Sequence, residues 1–319
     1  MSNPNEPQHI TLIGTGLVGQ GWAIVFARAG FRVTLYDNSS VALERAMAEI
    51  SNCLEDLEQH GLLEWVEYIR PRIEIATDLE TALHGTIYVQ ESVPEVLDLK
   101  REIFARLDAL TDPDVILASS TSAIAASQFT ESLAGRHRCL VAHPVNPPYL
   151  VPLVEIVPAP WTTPETVHRT QQLMDQVGQV PVLVRHEVQG FILNRLQAAL
   201  LNEAFRLVEN GYASTEDVDK TLRDGLGLRW SFMGPFETID LNAPGGVRDY
   251  AERYGQTLYE MAQSQAWPRR WSEELITAVE TERRKLLPAS GLVSRRRWRD
   301  RRLMALLAHR RKVDEDLGD

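Results

Sequence analysis

The sequence predicts an α/β fold in two parts: a mostly parallel sheet flanked by helices over residues 1–187, then an all-helical domain over residues 188–319. Three observations carry this expectation. Eight short apolar runs alternate with stretches of helical periodicity as far as His186, where the strand signals stop. Beyond that point the apolar residues fall at helical spacing, over 190–210, 215–225 and much of 246–312, broken by glycine and proline. The chain has 319 residues, more than one compact core usually holds.

The first element is the most specific. His9–Ile13 reads as a buried strand, Gly14-Thr15-Gly16-Leu17-Val18-Gly19 as a tight turn, and Gln20–Ala29 as a helix closed by Gly30. Gly14 permits the turn, Gly16 lets the backbone approach a pyrophosphate, and Gly19 allows close helix–strand packing, with the anion at the helix N-terminus. A second strand, Phe31–Tyr36, ends at Asp37, where a carboxylate grips the adenosine ribose hydroxyls. A glycine turn without a nucleotide is the bland alternative, and the whole arrangement outweighs it. The first domain therefore reads as Rossmann-type. The Asp37 carboxylate repels a 2′-phosphate and no arginine follows over Asn38–Val41, so NAD is expected over NADP. The remaining strands are expected at Ile73–Ala76, Thr86–Gln90, Val115–Ala118, Cys139–Ala142, Leu153–Val157 and Val180–Val184.

Bulk properties narrow the partners. A net charge of −11 argues against nonspecific nucleic-acid binding, which needs Lys and Arg to neutralise phosphates. No apolar run approaches the roughly 20 residues of a membrane span. Met1–Gln8 is polar, carries no secretory pattern and reads as a loose tail; with only two cysteines, Cys53 and Cys139, this suggests a cytoplasmic protein and no metal site. The basic run Arg295–Arg302 reads as a solvated helix face anchored by Trp298, or as a subunit contact.

Four polar residues stand where an alcohol could be oxidised. Ser122 and His143 each follow a strand by a few residues or less, so both can face the cleft at the carboxyl ends of the strands. Removing a hydroxyl proton as hydride leaves the same carbon suits a histidine, and His143 is the natural base. Glu155 sits inside the apolar strand Leu153–Val157, where an unpaired carboxylate is costly, so it is expected to orient the imidazole. Ser122 and Asn194 are expected to hydrogen-bond the substrate oxygen. Taken singly, His143 could cap a loop, Ser122 a helix, and Asn194 could contact the other domain.

The series Gly14-x-Gly16-x-x-Gly19, Ser120-Thr-Ser122, His143-Pro-x-Asn146-Pro, Leu153-Val-Glu155 and Gly190-Phe-x-x-Asn194-Arg195 resembles the 3-hydroxyacyl-CoA dehydrogenase superfamily over essentially the whole chain. Gln90–Glu95, Ala142–Pro148, Gly234–Glu237 and Arg296–Asp300 look most like its λ-crystallin and L-gulonate 3-dehydrogenase branch. The resemblance implies substrate and catalytic roles for Ser122, His143, Glu155 and Asn194. It implies NAD contacts for Leu17, Val18, Asp37, Glu95 and Lys100, and a C-terminal domain that forms a homodimer. Without it, Glu95 reads as a helix-start acid and Lys100 as a solvated lysine.

Two features bear on the substrate. Residues 41–69 contain Arg45 as their only Lys or Arg against seven acids, a surface that repels a polyphosphate. Arg229, in Gly225-Leu-Gly227-Leu-Arg229-Trp230, could pair with a free carboxylate in bidentate fashion, or form a surface ion pair. The leading expectation is an NAD-dependent dehydrogenase acting on the 3-hydroxyl of a small, L-gulonate-like hydroxy acid. The alternatives are a 3-hydroxyacyl-CoA dehydrogenase and a non-catalytic, crystallin-like or NAD-sensing protein. A carnitine 3-dehydrogenase ranks lower, because that branch departs from the Asn194-Arg195 pattern.

Overall fold

A computed structural model describes residues 7–267 and 269–317, so most of the expected N-terminal tail lies outside the described residues. Its centre is an eight-stranded sheet of β1 (His9–Ile13), β2 (Arg32–Tyr36), β3 (Ile73–Ala76), β4 (Thr86–Glu91), β5 (Ile116–Ser119), β6 (Cys139–Pro144), β7 (Leu153–Pro158) and β8 (Val180–Leu183). The spatial order is β3-β2-β1-β4-β5-β6-β7-β8. Neighbours run parallel except β6 and β7, which pair antiparallel. Every expected strand is present, and the apolar runs that betrayed them alternate between two cores. Leu140 and Ala142 face one, while Cys139 and Val141 face the other.

Helix α1 (Leu17–Arg28) starts ahead of the expected Gln20, because Gly16 is extended and the helix takes up the glycine turn directly. At its far end Gly30 adopts φ +99°, and the Phe31 N–H closes on the Phe26 carbonyl at 3.2 Å. That bond withdraws Phe31 from the strand it was expected to open. Helix α2 (Ser40–Gln59) is capped by the Ser39 hydroxyl and buries Leu43, Ala46, Ile50, Leu54 and Leu57, leaving its acids on the outer side.

The chain divides into two compact units. The first runs to Arg195 and takes back the chain from Arg296 onward; the second is Leu196–Arg295. The division thus falls in the first turn of helix Leu193–Glu209, past the expected 187, and the C-terminal segment does not belong to the helical unit. The reason is apolar: Met304 is buried in the same core as α1 and α2, with Leu303, Leu307 and Ala308 packed around it. The Arg311 guanidinium also donates to the Leu62 carbonyl at 3.2 Å. The basic run lies on helix Leu292–Leu317, mostly exposed, with the Arg302 guanidinium 6.0 Å from the Trp298 ring centre.

The second unit is helical throughout, with Thr215–Lys220 continuing into a π-helical stretch, Thr221–Leu226, before Gly227–Trp230. No helix among the described residues is long and apolar enough to cross a membrane.

Candidate active site

Strand β1 pairs with β2 on one side and β4 on the other, so a crevice opens at their carboxyl ends. A cleft of about 570 Å³ lies there, lined by Gly14, Gly16, Leu17, Val18, Asp37 and Asn146 among others. The backbone explains why two glycines are needed. Gly14 has φ +91°, and a Cβ on it would stand 2.7 Å from the Ser92 carbonyl oxygen. A Cβ on Gly19 would meet the Gly14 carbonyl oxygen at 2.0 Å, which fixes helix against turn. Around Gly16 there is open space, and no side chain caps the start of α1, so its first N–H groups are available to a pyrophosphate. Asp37 is pinned in the cleft: Thr15 donates its N–H and its hydroxyl to Oδ2, both at 3.0 Å, and the Ser39 N–H donates to Oδ1 at 3.1 Å. These features fit NAD.

Glu95 and Lys100 do not line that cleft. Lys100 is neither solvated nor at the surface; it is 1% exposed, with Nζ 2.9 and 3.0 Å from the two carboxylate oxygens of Glu91. Glu91 is fully buried and also accepts the Ser119 hydroxyl at 2.5 Å and the Val93 N–H at 2.6 Å. Burial pushes the Glu91 carboxyl up, against the pull of Lys100 and these hydrogen bonds. Glu95 Oε1 accepts from the Thr121 hydroxyl, from Ser122 N–H at 3.2 Å and from Ala123 N–H at 3.0 Å, and so holds the loop that carries Ser122.

His143 and Glu155 are direct partners in the antiparallel register of β6 and β7, on the same face of the sheet. A slip of one residue would send one of them to the opposite side. Nδ1 of His143 lies 2.8 Å from Glu155 Oε2, and both residues are buried. The other carboxylate oxygen, Oε1, accepts N–H groups from Ile192 at 2.7 Å and Leu193 at 2.9 Å, at the start of helix Leu193–Glu209. Burial raises the Glu155 carboxyl, but the bonds from His143, Leu193 and Ile192 outweigh it and the net shift is downward. Glu155 is therefore held as a carboxylate beside the imidazole.

The turn that aims those N–H groups is made by consecutive left-handed residues, Gly190 at φ +76° and Phe191 at φ +49°. For a residue with a Cβ that conformation is strained, and it is held by burial: the Phe191 ring is 1% exposed and packs 5.6 Å from the His143 ring. Asn194 follows on the helix and donates from Nδ2 to the Ser122 carbonyl at 3.1 Å. His143, Glu155, Ser122 and Asn194 thus form one cluster. The hydroxyl of Ser122 and the Nε2 of His143 have no protein partner among the described residues. Arg229 lies apart from this cluster in sequence, exposed on Gly227–Trp230 in the helical unit. Among the described residues no group of three or more His, Cys, Asp or Glu could hold a metal ion.

Sequence reasoning passed over Glu91. The signal was available, because Glu91 closes the buried run Tyr88-Val89-Gln90 just as Glu155 interrupts Leu153–Val157.

Residues 9–188 match the 3-hydroxyacyl-CoA dehydrogenase NAD-binding domain, and residues 190–285 the C-terminal domain of the same family. Rabbit (Oryctolagus cuniculus) lambda-crystallin is 43% identical over 95% of this chain and 97% of its own. An L-carnitine dehydrogenase from Pseudomonas sp is 36% identical over 92% of this chain and 91% of its own. Among solved structures, an NAD+-dependent dismutase, the 5-dehydrogenase of 5-formyl-3-hydroxy-2-methylpyridine 4-carboxylic acid, superposes with a TM-score of 0.73. It is 28% identical, covering 91% of this chain and 99% of that one. The chain belongs to the 3-hydroxyacyl-CoA dehydrogenase family and is an NAD-dependent dehydrogenase.

Proposed function

We propose that the protein oxidises the 3-hydroxyl of a small, L-gulonate-like hydroxy acid to the 3-oxo acid, with His143 as general base. The observation that carries this reading is the His143–Glu155 pair, in which one carboxylate oxygen fixes Nδ1 and the other is clamped by two backbone N–H groups. Glu155 keeps a proton on Nδ1, so Nε2 is the nitrogen that takes the hydroxyl proton. The Ser122 hydroxyl and Asn194 hold the reacting oxygen and polarise it as the carbonyl forms. NAD supplies the hydride acceptor, and the imidazolium that results is stabilised by the Glu155 carboxylate.

A small acid is favoured over a thioester by the outer side of α2 and the segment after it. Glu44, Glu55, Glu58, Glu64 and Glu67 are all exposed there. Such a surface is hostile to a CoA polyphosphate. Relatives named for L-carnitine and for a pyridine carboxylic acid support the same direction. For the carboxylate of such an acid the candidate contact is Arg229, whose planar guanidinium is exposed on Gly227–Trp230 and suits bidentate pairing. The second reading, a 3-hydroxyacyl-CoA dehydrogenase, is favoured by the family description itself.

The large apolar side chains left exposed on the helical unit, Leu228, Phe232 and Phe236 among them, support a homodimer through that unit. The free thiols Cys53 and Cys139 suit a cytoplasmic setting.

Initial rates of NADH formation with L-gulonate, L-3-hydroxybutyrate, L-carnitine and 3-hydroxybutyryl-CoA at matched concentrations test the assignment. Faster turnover of a free acid is expected, and Arg229→Met should raise KM for it about tenfold or more, as loss of a bidentate charged contact does. Preference for the thioester would return the protein to the second reading.

A further inference from the structure

Glu91 and Lys100 form a fully buried ion pair that the chemistry above does not use. Removing two charges from water is expensive, and an apolar pair of similar size usually stabilises a fold as well or better. Stability alone is therefore a poor account of it. Its surroundings suggest another. The Glu91 carboxylate gathers three segments: Val93 N–H from the wall of the cofactor cleft, Lys100 from helix Leu97–Leu110, and the Ser119 hydroxyl from the end of β5.

From that point the contacts lead in two directions to the same loop. Ser119 Oγ accepts the Thr121 N–H at 3.2 Å. Lys100 Nζ stands 3.9 Å from Glu95 Oε2, and the other oxygen of Glu95 takes the N–H groups of Ser122 and Ala123. We propose that Glu91, acting through Lys100 and Glu95, is a positioning residue that holds the Ser122 loop against the cofactor cleft. The inference rests on the reading of Ser122 as a substrate contact.

Lys100→Met alone would strand a buried carboxylate, so the informative variant is Glu91→Gln with Lys100→Met. The amide introduced by Glu91→Gln can keep its oxygen on the Val93 N–H while its NH2 group donates to the Ser119 hydroxyl oxygen, and thermal stability should stay close to that of the parent. Displacing Ser122 slightly is expected to lower kcat/KM for the hydroxy acid by roughly 10²-fold. NADH affinity by fluorescence titration should fall much less than kcat/KM does.

The decisive comparison adds Ser122→Ala. If the pair acts through Ser122, the triple variant is no worse than Ser122→Ala alone, because the positioned group is already gone. Additive losses overturn the proposal while leaving the role of Ser122 intact. An NADH affinity that falls as far as kcat/KM also overturns it, by making Lys100 a cofactor ligand. If Ser122→Ala itself costs nothing, the reading of Ser122 fails and this inference falls with it. Should the double variant not fold, Ser119→Ala supplies the milder test in the same cycle, with a smaller loss that must again vanish in the Ser122→Ala background.

Discussion

The two compact units bury their apolar side chains very differently. In the first, most large apolar residues of β1 to β7, α1 and α2 are enclosed, in one core on each face of the sheet, while Val180 and Leu183 of β8 are exposed. In the second, Leu196–Arg295, only Ala243 and Leu275 are buried among the described apolar residues, while Phe232 and Phe236 are 68% and 79% exposed. A unit so poor in core cannot offset its own ordering entropy easily, whereas the sheet unit has what it needs within one chain. On the function proposed above, the first unit would carry the cofactor cleft and the proton chemistry, and the second a surface for self-association.

The strongest way to test that division is to strike the chemistry inside the first unit. His143→Ala is expected to lower kcat by about 10³-fold or more while NADH affinity stays within a few-fold, since the cleft residues are untouched. Appreciable residual turnover would place the base elsewhere. A strike on the second unit should act the other way. For the homodimer proposed above, Phe232→Glu with Phe236→Glu is expected to weaken self-association by at least about tenfold in sedimentation while NADH still binds. A sedimentation coefficient unchanged from the parent would move the partner surface to other residues.

The smallest expected effect sharpens the picture of the dyad. The Glu155 carboxyl lies below its ordinary value in the folded protein. Its contribution to stability is therefore complete above the unfolded value, about 4.3, and is lost as pH falls through the lower folded value. The melting temperature of the parent should exceed that of Glu155→Gln at pH ~6 by a few degrees, and the gap should close towards pH ~3. A gap that is constant with pH would mean that the carboxylate charge contributes nothing to holding the imidazole.

Much of this was legible in the sequence, for physical reasons. A buried parallel strand has to be a short apolar run, so β1 to β8 announced themselves, and a glycine that must pass within van der Waals distance of backbone, such as Gly19, cannot be disguised. His143 and Glu155 could be paired because a carboxylate inside a strand needs a partner. Three things were hidden. The start of α1 has no side-chain cap to mark it. The apolar stripe of Leu303, Met304 and Leu307 would look the same whichever unit it packed against, and only the fold shows that it returns to the first. Lys100 reads as an ordinary helix lysine because its partner, Glu91, belongs to the preceding strand, and the ion pair exists only once strand and helix have met.

The left-handed turn at Gly190 and Phe191 has a consequence for anyone wishing to rebuild this enzyme. Everything that orients the imidazole, from Glu155 to the N–H groups of Ile192 and Leu193, lies before Leu196. A chimera joined just after Arg195 would carry the His143–Glu155 pair and its backbone clamp intact. The helical part could then be exchanged as a cassette, provided the graft also keeps the C-terminal segment that completes the first core.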